Sequence, residues 1–531
     1  MTKQIWVADC ETDPFKYGRV PVPFVWECYT KVEGVEVFKV FYDTNDFMEF
    51  MTKQKGIVYA HNGGKFDWHF ILDWITPNQD CKIINGRLSQ FTIGECEFRD
   101  SYNILPVALG AYKKDDFDYE KMESKNRNNH KEEILKYLHS DCVYLYEIVM
   151  RFIEDYGLHL TLATAALKTW QKISGIKAPE TDEMYYRKLK KYYYGGRVEC
   201  FQSGEIKQDF KVVDINSAYP FAMYERHPYG QQPFKIYELP KTDDEIKKIF
   251  ITIQCISHGA LPFRADDGSL SFPRDAVMRE YSITGHEYVT AINTATIKEV
   301  KIIEMICFTQ SIHFQSYIDH FYALKTASKI AKDDAGYLLS KLFLNSLYGK
   351  FSSNPLKYSN FMFVRPQHIE AVEADGYSFN GIIGRWALVK KPLDEDEMTF
   401  YDLAVGASIT GFVRAFMWES ITKCNGVMYC DTDSIAALDT SNLEYHPTAL
   451  GKWDIESECD YGAIAGKKMY AFRNKKGKWK TASKGVRFTH SEIIKVAQKE
   501  QVNYENIAPT FSVRKDPTFV KRKVAFNAKI N

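Results

Sequence analysis

Carboxylates end apolar strands in two widely separated parts of this 531-residue chain, and that pattern limits what it can fold into. IWVA runs into Asp9, with Glu11 two residues on. KVVDI carries Asp214, and VMYCDTDS carries Asp431 and Asp433. An acid flanked by apolar residues is costly unless it is paired or holds a cation. Period two puts Asp9 with Glu11, and Asp431 with Asp433, on one face of each strand. Taken alone, D-T-D is equally a hairpin turn, and any single acid is equally a surface carboxylate.

The N-terminal third supplies more acids. GIVYA at 56–60 reads as a strand, and Asp67 follows the Gly-Gly turn of HNGGKFDWHF. Residues 131–155 have helical periodicity and no Gly or Pro, which predicts a helix. Tyr137 and Asp141, four apart, share a face of it. The first ~155 residues therefore read as α/β. Four converging carboxylates repel unless cations lie among them. Two Mg²⁺ ions would neutralise them, activate a water and stabilise the leaving oxygen of a phosphodiester. Tyr137 would orient that water.

Further along, 317–348 reads as a helical hairpin with Gly336 at the turn. Within KLFLNSLYGKF, Lys341, Asn345 and Tyr348 fall on one helical stripe. That stripe suits phosphate, sugar and base of one nucleotide, or an amphipathic surface helix. The 69 basic and 69 acidic residues cancel, so net charge excludes nothing. Locally, 464–487 holds nine Lys/Arg and no acid, and 514–529 six Lys/Arg and one Asp. These stretches track phosphates or are solvated surfaces. Eleven scattered Cys without a C-x-x-C pair give no zinc cluster or disulfide framework and point to a reducing compartment. No run of ~18 apolar residues spans a membrane, and the N-terminus is too short and acidic for a signal peptide.

In order, D-x-E, N-x₄-D and Y-x₃-D resemble the proofreading 3′–5′ exonuclease domain of family B DNA polymerases. The resemblance implies that Asp9, Glu11, Asp67 and Asp141 bind metal. It implies that Asn62, Phe66 and Ser101 contact the single-stranded 3′ end, with Thr12 beside them. YKKDDFDY resembles the segment with a catalytic lysine, which would be Lys114, with Lys113 adjacent. DINSAYP, KLFLNSLYGKF, YCDTDS and KKMY resemble the family's polymerase motifs. By analogy Asp214, Asp433 and the Ile215 carbonyl bind metal, and Asp431 completes the acidic site. Tyr219 would exclude the ribose 2′-OH, Lys341 and Asn345 would hold the incoming nucleotide, and Tyr348 would pack on the nascent pair. Lys468 and Tyr470 would hold the primer terminus. TGFVRA departs from the usual pattern; Thr410 and Arg414 are placed on DNA by it. Tyr337 stands where a second fingers cation is usual, leaving Lys325, Lys329 or Lys332 for that task. S-A-Y-P replaces S-L-Y-P.

The implied fold is α/β and α+β multidomain. An RNase H-like exonuclease domain (1–185) precedes a right-hand polymerase domain. That domain divides into palm (186–225 and 396–485), first insertion (226–305), fingers (306–351), second insertion (352–395) and thumb (486–531). The gaps from Asp214 to Lys341 (127 residues) and from Gly349 to Asp431 (82 residues) exceed what one crossover needs. With the Y-x-G-G linker of Tyr193, Gly195 and Gly196, whose glycines would admit template DNA, they resemble the protein-primed branch. The first insertion would then contact terminal protein and DNA, and the second would confer processivity and strand displacement.

The expected activity is template-directed DNA synthesis with 3′–5′ proofreading, replicating a phage or mobile-element genome. The alternatives are an exonuclease with a DNA-gripping C-terminal region, a DNA-primed family B polymerase, or a structural DNA-binding protein. The resemblance implies two Mg²⁺ per active site, with Mn²⁺ as a substitute. The partners would be primer-template DNA, deoxynucleoside triphosphates and a terminal protein primer, with no membrane. The chain would act as a monomer in the cytoplasm of an infected or host bacterial cell.

Overall fold

The computed structural model describes residues 3–230 and 232–527. The end of the basic tail, 528–529, lies outside them.

The N-terminal part is built on a mixed sheet of ten strands. At its centre Ile5–Thr12 pairs in parallel with Gly56–Ala60, which pairs in parallel with Cys96–Asp100. Pro23–Val32 and Val35–Phe41 extend one side antiparallel. At Gly56 (φ +140°) a Cβ would stand 2.1 Å from the Gln4 carbonyl oxygen, so only glycine lets the second strand begin there. Helix Lys131–Tyr156 covers the strands with buried Ile134, Leu138, Cys142, Leu145 and Val149. Their spacing is one helical face, and the helix stops at Gly157 (φ +89°). The α/β reading of this region agrees with the structure.

The other end of the same sheet is made by residues far away in sequence. Ser359–Val364 pairs with Gln79–Ile84, and Trp386–Pro392 and Ser378–Ile383 follow outward. The segment 352–395 is thus built onto the N-terminal sheet. Trp386 is buried there and donates to the Leu72 carbonyl at 2.8 Å.

A second, antiparallel sheet forms the centre of the molecule. Its strand order is Trp479–Ser483, Met469–Asn474, Trp453–Gly466, Phe210–Ile215, Ser434–Asp439, Asn425–Asp431, Val198–Cys200. Helix Leu403–Lys423 is apolar nearly all round and is buried between this sheet and the first insertion. The first insertion has its own antiparallel sheet, Phe234–Ile236, Ile297–Cys307, Phe250–Ser257 and Met278–Thr284. The basic stretch 464–487 spans two strands of the central sheet, where Arg473 pairs with Asp460 (2.9 Å) and Lys480 with Glu456.

The expected helical hairpin is present as Gln315–Ala331 and Asp334–Ser346, but its turn is not at Gly336. Lys332 makes the turn (φ +56°), and Asp333 caps the second helix by accepting from Gly336 N at 3.0 Å. Gly336 serves a close approach instead: a Cβ there would stand 2.5 Å from Ser328 Oγ.

The C-terminal region returns to the N-terminal sheet. Its hairpin Thr510–Ser512/Lys515–Thr518 sets Phe511 against Phe66, His69 and Phe70, with ring centroids 5.5, 5.2 and 5.8 Å apart. Asp516 accepts from Gly384 N at 2.7 Å.

Candidate active sites

The strand Ile5–Thr12 and the helix Lys131–Tyr156 together wall a cavity of about 730 Å³. Asp9, Glu11, Asp141, Tyr137 and Lys114 line it, as do Thr12, Asn62 and Phe66. Burial raises Asp9 well above the usual carboxylate range, with Asp67, Glu11 and Asp141 adding to it. Burial and Asp141 push Glu11 up to about 8, against the pull of Lys114. Burial raises Asp141 as well, and its buried Oδ1 has no hydrogen-bond partner. Asp67 is turned to the Cys10 thiol, which donates to it at 3.3 Å, and burial pushes it up to about 7. Tyr137 hydrogen-bonds Tyr119 at 3.0 Å and stacks on Phe117.

Between the adjacent lysines the structure separates two roles. Lys113 is taken up by Glu147 at 3.0 Å. Lys114 faces the cavity, where Tyr119, Asp141 and Asp9 hold its ammonium up against the burial that lowers it. Ser101 departs from expectation. It is fully buried, with Oγ on His61 Nδ1 (3.0 Å) and donating to the Ala60 carbonyl (3.2 Å), so it supports His61 rather than touching a strand. His61, Arg87, Tyr102 and Phe15 line the cavity instead and were not singled out in the sequence. Arg87 binds Asn62 Oδ1 and lies 3.9 Å over the Tyr102 ring. No motif spacing announces them, because they come from separate turns.

In the central sheet Asp214 pairs across to Ser434, and Ile215 N donates to the Asp433 carbonyl at 2.9 Å. Asp214 and Asp433 are thereby brought side by side. Burial, then Asp433 and Glu456, push Asp214 up to about 7, with Lys480 opposing. Burial and Asp431 raise Asp433. Thr432 forms the tight turn between them in a left-handed conformation (φ +61°). Asp431 differs: Lys468 Nζ donates to both its oxygens at 2.7 and 2.8 Å. Tyr470 packs beside it on Tyr429 at 5.0 Å. Glu456 and Lys480 were missed in the sequence because they reach the site only through strand pairing.

As they stand, no three carboxylate, imidazole or thiol groups among the described residues converge on one ion. The fit to a cation is electrostatic. Both sites hold acids raised by neighbouring acids, mostly buried in the N-terminal one and half-buried in the central one, and the first has an orphaned carboxylate oxygen. Hard oxygen donors of this kind suit Mg²⁺ or Mn²⁺.

Above the central acids, Tyr219 and Tyr348 stack at 3.9 Å and 4°. Lys341 and Asn345 are exposed on the same helix face, where Asn345 donates to the Lys341 carbonyl at 3.0 Å. Of the three candidate fingers cations, Lys325 stands with Lys341: burial, then Lys341 and Lys329, lower it.

Arg414 and Thr410 are corrected by the structure. Both are buried in helix Leu403–Lys423 and face no open groove. Thr410 donates to its own helix at the Gly406 carbonyl, 3.1 Å away. Arg414 donates to Glu287 (2.7 Å) and to the carbonyls of Tyr194 (2.6 Å) and Gly195 (3.0 Å), so it holds the linker. Gly196 has a different reason from the one expected: a Cβ would stand 2.9 Å from the Thr432 side chain. The linker therefore packs on the Asp431–Asp433 turn. Gly195 is exposed with open space around it, and Tyr193 is half-buried beside it.

The chain is similar to known DNA polymerases along most of its length. The family described as DNA polymerase type B, organellar and viral, matches residues 110–375. The DNA-directed DNA polymerase of Enterobacteria phage PRD1 is 34% identical, over 97% of this chain and 97% of its own length. The DNA polymerase of Bacillus phage phi29 is 25% identical over 88% of this chain and 86% of its own. A solved structure of Phi29 DNA polymerase with primer-template DNA and incoming nucleotide superposes with TM-score 0.72. It is 18% identical and covers 99% of this chain and 100% of that one.

Proposed function

Because this chain belongs to the organellar and viral type B DNA polymerases, we propose that its two acidic sites divide synthesis from proofreading. The protein is a DNA-directed DNA polymerase, and the central sheet, with Asp214, Asp431 and Asp433, is its polymerase site. The N-terminal cavity, with Asp9, Glu11, Asp67 and Asp141, is a 3′–5′ exonuclease site. On this reading the strands that residues 1–185 contribute to the ten-stranded sheet are the RNase H-like part, its strands from 359–392 belong to the second insertion, the central sheet is the palm, and the helical hairpin is the fingers. The domain limits given above carry over with them.

In the palm, Asp214, Asp433 and the Ile215 carbonyl would hold two Mg²⁺. Bound there, the ions would lower the pKa of the attacking hydroxyl and offset charge on the phosphoryl oxygens. The residues do the rest. Lys341 and Lys325, on the two fingers helices, neutralise the triphosphate. Tyr219, held flat on Tyr348, would exclude the ribose 2′-hydroxyl. Lys468 orients Asp431 and reaches the primer terminus, with Tyr470 beside it. In the N-terminal site Asp9, Glu11, Asp67 and Asp141 would hold the ions, and Tyr137 and Lys114 would place the water. Asn62, Phe66 and Thr12 grip the single-stranded end.

The chain reads as a member of the protein-primed branch: a terminal protein supplies the first hydroxyl, and the enzyme displaces strands as a monomer in a phage-infected bacterial cytoplasm. Support comes from the similarity to the PRD1 and phi29 enzymes. Among the described residues no helix is long and apolar enough to cross a membrane.

The observation that carries the two-site reading is the pair of separate acid clusters, one mostly buried and one half-buried, in which neighbouring acids raise one another. Primer extension on a primed single-stranded circle, with Mg²⁺ and all four deoxynucleotides, tests it. Products longer than the circle are expected. Asp214→Ala should abolish extension and spare 3′-end degradation. Equal loss of both activities would overturn the two-site reading.

A further inference from the structure

A second cavity, of about 470 Å³, adjoins the one that holds Asp9 and Asp141. The two share Asp13 in their walls. They also share a helix. Ile134 and Leu135 line the second cavity, and Tyr137 and Asp141, one and two turns later, line the first. Nothing in the reading above uses this space.

Its chemistry is that of an anion with a flat ring attached. Arg127 lies 4.5 Å over the Phe24 ring, and Lys131 Nζ 4.4 Å over the Tyr42 ring. Cation–π contact of this kind fixes where a charge points without cancelling it. Among the described residues neither cation forms an ion pair. The one acid in the wall, Asp13, is already satisfied: it accepts from Arg19 at 2.5 Å and from Val22 N at 2.8 Å. The cavity is therefore a positive pocket with apolar and aromatic walls. Tyr42 is 55% exposed and keeps ring surface open for stacking. The volume falls within the ~300–1,000 Å³ of small-ligand sites.

We propose that this cavity binds a nucleoside 5′-phosphate, with Arg127 and Lys131 on the phosphate and Phe24 and Tyr42 beside the base. The ligand is the mononucleotide released next door or a nucleotide of a single strand leading there. The proposal rests on the exonuclease reading only for the origin of the ligand. A site so placed would draw product away from the catalytic carboxylates, or hold a frayed strand near them.

Titration calorimetry of the full chain in EDTA, with deoxythymidine monophosphate as probe, tests this. Wild type should bind it, and R127A/K131A should bind at least ten-fold more weakly. R127K/K131R should bind within a few-fold of wild type, which separates loss of charge from misfolding. D9A/D141A should bind as wild type does. Thymidine without phosphate should not bind. Unchanged affinity in R127A/K131A, or loss of binding in D9A/D141A alone, would overturn the proposal by moving the nucleotide to the catalytic cavity. A (dT)₄ oligomer that binds in an Arg127- and Lys131-dependent way, where the monophosphate does not, would assign the same site to a strand. Degradation of (dT)₄ in Mg²⁺ reports separately on the exonuclease reading, so its failure is distinguishable from failure of the cavity.

Discussion

The N-terminal and central acidic sites solve the same electrostatic problem to different degrees. At the N-terminal cavity Asp9 and Glu11 are raised by burial and by the neighbouring carboxylates, Asp67 and Asp141 are raised by burial, and Lys114 is the one lysine on the wall. In the central sheet a lysine already clasps Asp431, and Lys480 sits within reach of Asp214. The protein supplies part of the compensating charge in the second site; on the two-site reading, more of it would fall to cations in the first. The difference follows from topology. The central acids lie beside the strand pair Met469–Asn474 and Trp479–Ser483, which brings Lys468, just ahead of its first strand, and Lys480, in its second, to them, whereas the N-terminal acids face a helix that offers Asp141 and Tyr137.

The sharpest break of that comparison is by ligand removal. Asp214→Ala should lower extension by on the order of 10³-fold or more, since several kcal/mol of charge stabilisation depend on such ligands. Asp9→Ala should lower 3′-end degradation by a similar factor. Each should leave the other activity within a few-fold, read on one labelled primer-template with and without nucleotides. Cross-inhibition of both by either change would mean the sites are not separate.

Much of this was legible in the sequence and some was not, for physical reasons. D-x-E, Y-x₃-D and D-T-D could be read because strand and helix periods fix which side chains share a face. The helix 131–156 could be read because its apolar positions repeat without interruption. Residues brought in by long-range pairing could not: Glu456 and Lys480 at Asp214, Arg87 and His61 at the N-terminal cavity, and Phe511 against Phe66. Nor could the addition of 359–392 to the N-terminal sheet, because strand pairing between distant segments leaves no local pattern. Arg414 and Gly196 were assigned to DNA because polar and glycine residues in motifs suggest contact with a ligand. Their structural partners, Glu287 and Thr432, lie 127 and 236 residues away in the chain.

Neutralising one acid in each site should then act in opposite directions on stability. In EDTA, Asp141→Asn removes a like charge from a repelling buried group and should stabilise the protein by ~1 kcal/mol. Asp431→Asn strips Lys468 of its partner and should destabilise by at most ~1 kcal/mol, since the Lys468 side chain is 42% exposed and the pair is screened. Thermal denaturation reads both. Equal signs would show that the two sites are not differently compensated.

The same contrast should appear in pH dependence. Glu11, at about 8, and Asp67, at about 7, lie above their unfolded values, so the folded protein holds protons that the unfolded chain has lost. Stability without metal is then highest below the unfolded carboxylate range and falls as pH rises through about 7 to 8. The slope is on the order of 1 kcal/mol per pH unit for each proton held. Melting in EDTA from pH 5 to 9 should show this fall. Glu11→Gln should flatten it more than Asp431→Asn, and Mg²⁺ should flatten it further by giving the carboxylates a charged partner. A rise in stability across that range would contradict the accumulation of uncompensated acids in the N-terminal cavity.

The smallest expected effect concerns how each site is walled. The Tyr219–Tyr348 stack above the central acids joins the helix Ala218–Tyr224, just after Asp214, to the short helix Tyr348–Phe351 that follows the helical hairpin. Phe66, on the wall of the N-terminal cavity, leans instead on Phe511 from the far end of the chain. Phe511→Ala removes edge-to-face ring contacts of ~0.5–1.5 kcal/mol, so Phe66 should be less often in place for a single strand. Degradation of a single-stranded oligomer should slow by ~2- to 10-fold, chiefly through a higher KM. Single-nucleotide extension should change less, because the ring partners of Phe511 are Phe66, His69 and Phe70 of the N-terminal part. If extension fell as far as degradation, the C-terminal hairpin would be bracing the whole molecule, and the two walls would not be independent.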